Sequence, residues 1–174
     1  MLNLYRRLRA HWATSLLLDG ALIAVVFLGV SAWQTRNLLP SRSATAAPAI
    51  ALTALDGRTY TLEQVRGRKV LLYFFAPWCK VCNLSAHALR NLYDPEDGAT
   101  AIYLVAISYG SVEAVREYAQ RHRLDMPILL DDGSAARAYR IGATPTYYVL
   151  DEAGNVARKS VGYSTELGMR WRTL

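Results

Sequence analysis

The chain opens with a long apolar stretch, Trp12–Trp33, in which Asp19 is the only charged residue. This length matches the roughly 20 residues that a helix needs to cross a bilayer. Arg6, Arg7 and Arg9 precede the stretch, and a tryptophan stands at each end, as is usual at membrane interfaces. The pattern predicts a transmembrane helix over residues 12–33. Residues 1–11 would then form a basic cytoplasmic tail, and the remainder of the chain would lie across the membrane.

A cleaved signal peptide is the alternative for the same stretch. Gly20–Val30 would be its apolar region, and Val30-Ser31-Ala32 offers a small-residue cleavage site. We favour the anchor because the apolar stretch is long and closes on Trp33. Both interpretations export the rest of the chain. Residues 34–48 are rich in small residues and prolines, which predicts a flexible tether, and residues 49–174 are left as one domain.

Short apolar runs alternate with amphipathic segments through this domain. The alternation predicts an α/β fold with a mixed central sheet flanked by helices. The predicted strands are Val70–Phe75, Ala101–Ile107, Pro127–Leu130 and the hairpin Thr146–Leu150 with Val156–Val161, after a smaller hairpin within Ala49–Tyr60. The predicted helices are Cys79–Tyr93, Ser111–Arg123, Ser134–Arg140 and one beginning at Ser164, with a single helical turn after a Thr61 cap.

The charge distribution limits the classes of partner. The net charge is +6, but residues 1–42 contain five arginines and one aspartate and so carry +4 of it. The remaining residues have fifteen basic and thirteen acidic side chains, a near balance. The basic excess therefore belongs to the membrane signal, and we expect no nucleic-acid partner.

The two cysteines of the chain, Cys79 and Cys82, stand directly after the first buried strand and open the next helix. A helix N-terminus favours negative charge, so this position lowers the pKa of the first thiol and makes its sulfur a nucleophile. The second thiol, one turn along, can attack a mixed disulfide formed on the first. The spacing predicts redox chemistry by thiol–disulfide exchange, with Cys79 and Cys82 as the catalytic pair.

A zinc site is the competing interpretation of this spacing. Zinc needs four ligands, and no further cysteine exists to complete the set. The three histidines, His11, His87 and His122, are scattered along the chain and none has ligand spacing to the pair. We therefore predict no metal site of this kind.

Two neighbours of the cysteines have residue types that suit the same chemistry. Trp78 can shield one side of the sulfur and contact a protein substrate, although plain packing explains it equally well. Lys80 places a positive charge beside the sulfur, which would stabilise the thiolate; a solvated lysine is the alternative. Further along, Thr144-Pro145 precedes a strand. A cis bond there would free the Thr144 backbone to pair with a peptide, whereas a trans proline at a strand start is the commoner case.

Together, Phe75–Cys82 and Gly142–Thr146 resemble the two site motifs of the thioredoxin superfamily. Thr53–Gln64 and Ser111–Leu130 are similar to additions in its membrane-anchored TlpA-like branch, which includes oxidoreductases of cytochrome c maturation. Val161–Arg170 is more similar to the suppressor-of-copper-sensitivity D group of bacterial protein disulfide oxidoreductases.

The resemblance implies a thioredoxin-like fold in which a cis Pro145 packs against Cys79, with Trp78, Thr144 and Pro145 contacting substrate. It implies no cofactor beyond the redox-active disulfide. It also implies a single-pass protein of the bacterial inner membrane with a periplasmic catalytic domain. Its partners would be periplasmic proteins with thiols or disulfides, and a membrane thiol-redox protein that reduces or reoxidises it.

Two residues depart from the family pattern. Tyr73 stands where thioredoxin has a buried acid, and Ser85 stands where many reductive TlpA-like proteins have a glutamate. The proton acceptor for Cys82 is therefore not identified, and Glu63 or a water are the candidates. His87 on the same helix is expected to be solvated.

Three further classes compete with disulfide exchange. The cysteines could bind Cu(I) as soft ligands, although no methionine-rich tract supports this. They could be incidental to a tethered docking protein, which the Thr144-Pro145 motif disfavours. A peroxiredoxin-like peroxidase would have its cysteine in a Thr-x-x-Cys setting instead. The direction of exchange, oxidising or reducing, stays open.

Overall fold

The structure is a computed structural model that describes residues 2–41, 45–96 and 100–173, without the side chains of residues 2–13. The chain divides into two units, Met1–Asn37 and Leu38–Leu174. The first unit is a single helix, α1 (Leu2–Thr35), whose stretch Thr14–Thr35 is long and apolar enough to cross a membrane. A signal sequence would have the same features. The arginines of the predicted basic tail lie outside the described side chains.

The second unit is built on a sheet of five strands with the spatial order β5-β4-β3-β6-β7. A smaller hairpin of β1 and β2 stands beside it. The strands are β1 (Ala51–Thr53), β2 (Thr59–Thr61), β3 (Lys69–Phe75), β4 (Thr100–Ala106), β5 (Ile128–Leu130), β6 (Thr146–Leu150) and β7 (Val156–Val161). The helices are α2 (Lys80–Leu92), α3 (Val112–His122), α4 (Ser134–Ala138) and α5 (Glu166–Thr173), and a 3-10 turn covers Glu63–Val65.

The central strand, β3, runs parallel to β4 and antiparallel to β6, which confirms the predicted mixed sheet. Alternate side chains of a strand point to opposite faces, so β3 contributes to two cores. Leu71, Tyr73 and Phe75 belong to one core together with α2 and α3. Leu72 and Phe74, which lie between them, belong to the other core. Residues of α4 and of the segment before β2, including Leu38 and Leu39, complete that core. Both faces of β3 are therefore buried. The strand ends at Phe75, four residues before Cys79.

The domain begins earlier than Ala49, the residue at which the sequence pattern placed its start. Leu38 and Leu39 are buried in the second core, and the backbone N–H of Leu39 donates to the Tyr148 hydroxyl at 3.2 Å. Ala46 forms an antiparallel bridge with Asn155. The described parts of residues 38–48 therefore pack on the domain, because two adjacent leucines supply apolar surface that a flexible tether would leave in water.

Two predicted helix caps differ from the observed ones. The 3-10 turn begins after Leu62 with no side-chain cap. The backbone N–H of Thr61 instead donates to the side-chain oxygen of Gln64 at 3.0 Å. At α5, Thr165 rather than Ser164 accepts the capping bond, from Gly168 N at 3.1 Å. Ser164 is buried and its hydroxyl bonds to that of Tyr147, so it is not free to cap. The predicted Ser111 cap of α3 is confirmed.

Candidate active site

Cys79 is the N-cap residue of α2, and Cys82 lies in the first turn of that helix. The Cys79 sulfur accepts a hydrogen bond from the backbone N–H of Cys82 at 3.3 Å. Both cysteines are free thiols; Cys79 is 6% exposed, whereas Cys82 is completely buried. The first sulfur therefore takes the place of an oxygen cap at the helix N-terminus, where the unpaired N–H groups favour a thiolate.

The Thr144–Pro145 peptide bond is cis, and it lies against the cysteine pair. The thiol of Cys79 donates to the carbonyl oxygen of Thr144 at 3.4 Å, which joins two motifs 65 residues apart. The backbone N–H of Gly162 donates to the carbonyl oxygen of Pro145 at 2.8 Å. The residue that follows β7, the hairpin partner of β6, therefore fixes the proline just before β6. The structure thus brings together the cysteines and the Thr-Pro motif that the sequence singled out.

The two thiols have opposite pKa shifts. Burial of the Cys79 sulfur raises its pKa, but hydrogen bonds from the Cys82 thiol, from the Thr144 side chain and from the backbone N–H groups of Cys82 and Val81 outweigh that effect. The pKa of Cys79 is therefore lowered. For Cys82, burial raises the pKa to about 12, and the hydrogen bond to Cys79 adds to the rise. Cys79 is consequently the thiol that can be a nucleophile near neutral pH.

Trp78 and Lys80 flank Cys79 on the surface. The Trp78 ring is 68% exposed, and its indole N–H donates to the carbonyl oxygen of Ser108 at 2.7 Å. This bond fixes the orientation of a large exposed ring next to the sulfur. Lys80 is exposed as the first residue of α2. Its predicted effect on the thiolate stays a prediction, because the groups that shift the pKa of Cys79 are the others named above.

Two side-chain hydroxyl groups, those of Tyr73 and Ser85, belong to the buried surroundings of Cys82. Tyr73 and Ser85, the two residues that depart from the family pattern, are both fully buried. The Ser85 hydroxyl donates to the carbonyl oxygen of Val81 at 3.1 Å, and the Tyr73 hydroxyl has no hydrogen-bond partner among the described residues. Burial raises the pKa of Tyr73 far above its ordinary value, so its hydroxyl cannot act as a base.

The two side chains considered as bases are remote or solvated. Glu63 is exposed on a 3-10 turn whose Val65 belongs to the second core, so the sheet lies between this turn and the cysteines. Glu63 is therefore excluded as the proton acceptor of Cys82. His87 is exposed on α2 and its ring bonds to Asn91, as expected for a solvated histidine.

Sequence reasoning missed three residues that contact the cysteine turn. The Tyr118 hydroxyl donates to the carbonyl oxygen of Cys82 at 2.9 Å. The Asn83 side chain donates to the carbonyl oxygen of Cys79 at 2.9 Å and pairs with His122 at 2.7 Å. No motif marks Tyr118 or His122, because their partners in the cysteine turn lie 36 and 39 residues away along the chain.

The AhpC/TSA family model matches residues 44–159, which is most of the second unit. The chain belongs to the AhpC/TSA family. The thioredoxin-like protein YneN of Bacillus subtilis is 31% identical to this chain over 164 residues, covering 91% of this chain and 94% of that protein. The thiol-disulfide oxidoreductase ResA of Bacillus cereus is 29% identical over 122 residues, covering 69% of this chain and 70% of that protein.

Among solved structures, StoA from Bacillus subtilis aligns with a TM-score of 0.65 at 22% identity, covering 78% of this chain and all of that one. This likeness shows the thioredoxin-like fold. Relatives of the chain are named thiol-disulfide oxidoreductases, and the Cys79–Cys82 pair supplies the dithiol that this activity requires. This member of the AhpC/TSA family is a protein thiol–disulfide oxidoreductase.

Proposed function

We propose that the protein is a membrane-anchored oxidoreductase that exchanges disulfides with proteins outside the cytoplasm. The observation that carries this proposal is the asymmetry of the two thiols beside the cis-proline loop. Cys79 has a lowered pKa and is 6% exposed, while Cys82 is completely buried with a pKa of about 12. One thiol is suited to attack a partner, and the other is suited to act only after the partner is bound.

The exchange has two steps. In the reducing direction, the Cys79 thiolate attacks one sulfur of a substrate disulfide, and the released substrate thiolate takes a proton from solvent. Cys82 then loses its proton and attacks the Cys79 sulfur, which releases the second substrate thiol and leaves the Cys79–Cys82 disulfide. In the oxidising direction the same steps run backwards. No cofactor beyond this disulfide takes part.

The substrate surface consists of Trp78 and the backbone of Thr144-Pro145. The exposed Trp78 ring offers apolar contact area beside the sulfur. The Thr144 carbonyl oxygen lies 3.4 Å from that sulfur and accepts the hydrogen of the Cys79 thiol. When a mixed disulfide forms, Cys79 loses this hydrogen, and a backbone N–H of an extended substrate segment would donate to the same carbonyl oxygen. Substrates are therefore proteins whose cysteine lies in an extended, accessible segment.

The apolar helix supports the location that we propose. Thr14–Thr35 would anchor the chain in the bacterial inner membrane, and Arg6, Arg7 and Arg9 favour a cytoplasmic N-terminus. The catalytic domain would then lie in the periplasm. The enzyme needs a membrane thiol-redox partner there, because each turnover leaves the pair in the opposite oxidation state.

We expect the reduced form of this site to be stabilised more than that of a thioredoxin-like protein with a buried acid beside its cysteines. Hydrogen bonds favour the Cys79 thiolate, and Tyr73 and Ser85 place no negative charge behind it. Stabilising the reduced dithiol makes the pair more oxidising. We therefore expect a potential above about −270 mV, the value of thioredoxin, and toward about −120 mV, the value of a strong periplasmic oxidant. Equilibration of the purified protein with glutathione buffers measures it.

A reductant is the second candidate, favoured by the resemblance to the TlpA-like branch with its oxidoreductases of cytochrome c maturation. A potential at or below about −270 mV would contradict the oxidising role and support reduction of periplasmic thiols, including those of cytochrome c maturation or copper stress. A Cu(I)-binding module is the candidate from another class. Tight Cu(I) binding by the reduced protein, together with no disulfide exchange, would establish it instead.

A further inference from the structure

Helix α3 holds the cysteine turn through two side chains that stand one helical turn apart. The Tyr118 hydroxyl donates directly to the carbonyl oxygen of Cys82. His122 reaches the turn through Asn83, with 2.7 Å between the imidazole Nε2 and the Asn83 Oδ1 atom. The side-chain nitrogen of Asn83 in turn donates to the carbonyl oxygen of Cys79 at 2.9 Å. The carbonyl groups of both cysteines are thus tied to the same helix.

The direction of each bond in this chain follows from the groups involved. The carbonyl oxygen of Cys79 is only an acceptor, so the nitrogen of the Asn83 amide must face it. The amide oxygen then faces His122, and Nε2 of the imidazole must carry the hydrogen. Burial lowers the pKa of His122, and the positive charges of Arg121 and Arg90 lower it further. The neutral imidazole with its hydrogen on Nε2 is therefore the form that the site uses.

The tie acts on the backbone that surrounds the reactive sulfur. The carbonyl oxygen of Cys79 also accepts the first bond of α2, from the backbone N–H of Asn83 at 3.1 Å. The Cys79 sulfur depends on the backbone N–H of Cys82 at 3.3 Å, in the same turn. This N–H group belongs to the Val81–Cys82 peptide unit, which meets at the Cys82 Cα atom the planar unit whose carbonyl Tyr118 holds, so fixing the two carbonyl groups restricts how far the N–H group can rotate. Loosening them would misalign the donor that stabilises the thiolate.

Tyr118 anchors this arrangement in the core. Tyr118 is 1% exposed. The centroid of its ring lies 4.7 Å from the ring centroid of Phe75, the last residue of β3. The His122 ring packs on Tyr118 at 4.6 Å. The imidazole is therefore held from one side by a core aromatic ring while its Nε2 meets Asn83. Helix α3 ends at once after it, because Arg123 takes a left-handed conformation with φ of 53°.

We propose that His122 is a positioning residue for disulfide exchange, which aligns the donors around the Cys79 sulfur through Asn83. This proposal rests on the proposed function, since it assumes that the Cys79 thiolate is the nucleophile. His122 does not touch the substrate or the sulfur. Its contribution is the hydrogen bond that it donates.

The test compares two variants of the full-length protein, His122→Leu and His122→Gln, by the pH dependence of Cys79 alkylation with iodoacetamide, mapped by mass spectrometry. Leucine removes the donor, so we expect alkylation at neutral pH to slow about two- to tenfold, the factor that one net hydrogen bond is worth. The midpoint of the pH profile moves upward to the same extent. Glutamine can donate from its amide nitrogen and should restore most of the rate. His87→Leu, at an exposed histidine of α2, is the matched control and should leave the profile unchanged.

Tyr118→Phe gives a second variant in case His122→Leu folds poorly, since it keeps the core ring and removes only the donor to Cys82. It should slow alkylation in the same direction. A wild-type profile in both His122→Leu and Tyr118→Phe would overturn the proposal, as would equal slowing in His122→Leu and His122→Gln. If instead the wild-type profile has the midpoint of an ordinary thiol, near 8.5, the proposed nucleophile itself is wrong. The two failures are therefore distinguishable.

Discussion

Replacing Cys79 with serine is expected to abolish disulfide exchange. A serine hydroxyl cannot form the mixed disulfide, and its pKa lies far above that of the thiol, so neither step can begin. The measurement is the rate of insulin disulfide reduction by the purified protein in the presence of dithiothreitol. We expect the variant to fall to the rate of dithiothreitol alone.

Serine is also a suitable structural control at this position. It is among the preferred N-cap residues, so α2 should begin in the same place. The thermal unfolding of the variant should therefore match that of the reduced wild-type protein, and the lost activity can be assigned to the sulfur. Turnover at the wild-type rate in Cys79→Ser would contradict the mechanism, because Cys82 is buried and its pKa is about 12.

Replacing Leu39 with alanine is expected to lower the free energy of unfolding by about 2–5 kcal/mol, the usual range for a buried leucine. Leu39 is 8% exposed in the second core, and its backbone N–H donates to Tyr148. The change is measured by urea unfolding of residues 36–174, the chain without α1, with tryptophan fluorescence as the signal.

Leu84→Ala is the matched control, since Leu84 is 69% exposed on α2. We expect it to change the free energy of unfolding by no more than about 0.5 kcal/mol. If Leu39→Ala is as mild as Leu84→Ala, the flexible tether predicted over residues 34–48 is right and the domain does begin at Ala49.

The parts of the fold that the sequence predicted well have local signals. The apolar run before the cysteines has no polar break, which is typical of a strand buried on both faces, and the structure places β3 there at the centre of the sheet. The turn between β6 and β7 contains Asp151, which accepts from the backbone N–H of Asn155 at 2.8 Å. Because these signals lie within a few residues of the elements, strand and hairpin bounds agreed within about one residue.

The start of the domain has no local signal of this kind. Leu38 and Leu39 stand among small residues and prolines, a composition that indicates a linker. Their burial depends on Tyr148, which lies 109 residues further along the chain than Leu39. The Tyr139 hydroxyl likewise donates to the carbonyl oxygen of Pro48. Contacts over such separations are decided by the packing of the whole sheet and cannot be inferred from composition.

The candidate site divides in the same way. The spacing of Cys79 and Cys82 is enough to predict thiol–disulfide exchange. The position of Thr144-Pro145 opposite the cysteines was predicted only from the family resemblance. His122 carries no such mark, because its role depends on Asn83 lying between it and the cysteine turn. Spacing rules describe residues on one element, whereas this contact joins two helices. The opposite pKa shifts of the cysteines likewise depend on burial that only the packed structure defines.

The division of labour between the cysteines is tested most directly by a trap in the Cys82→Ser variant. Without the resolving thiol, a partner that reacts with Cys79 stays attached to it. The full chain, produced in bacterial cells and quenched with acid, is separated on non-reducing gels. We expect disulfide-linked adducts in Cys82→Ser that map to Cys79 and disappear on reduction. None should form in Cys79→Ser, which keeps only the buried thiol. Adducts that form equally in both variants, or in neither, would contradict Cys79 as the nucleophile.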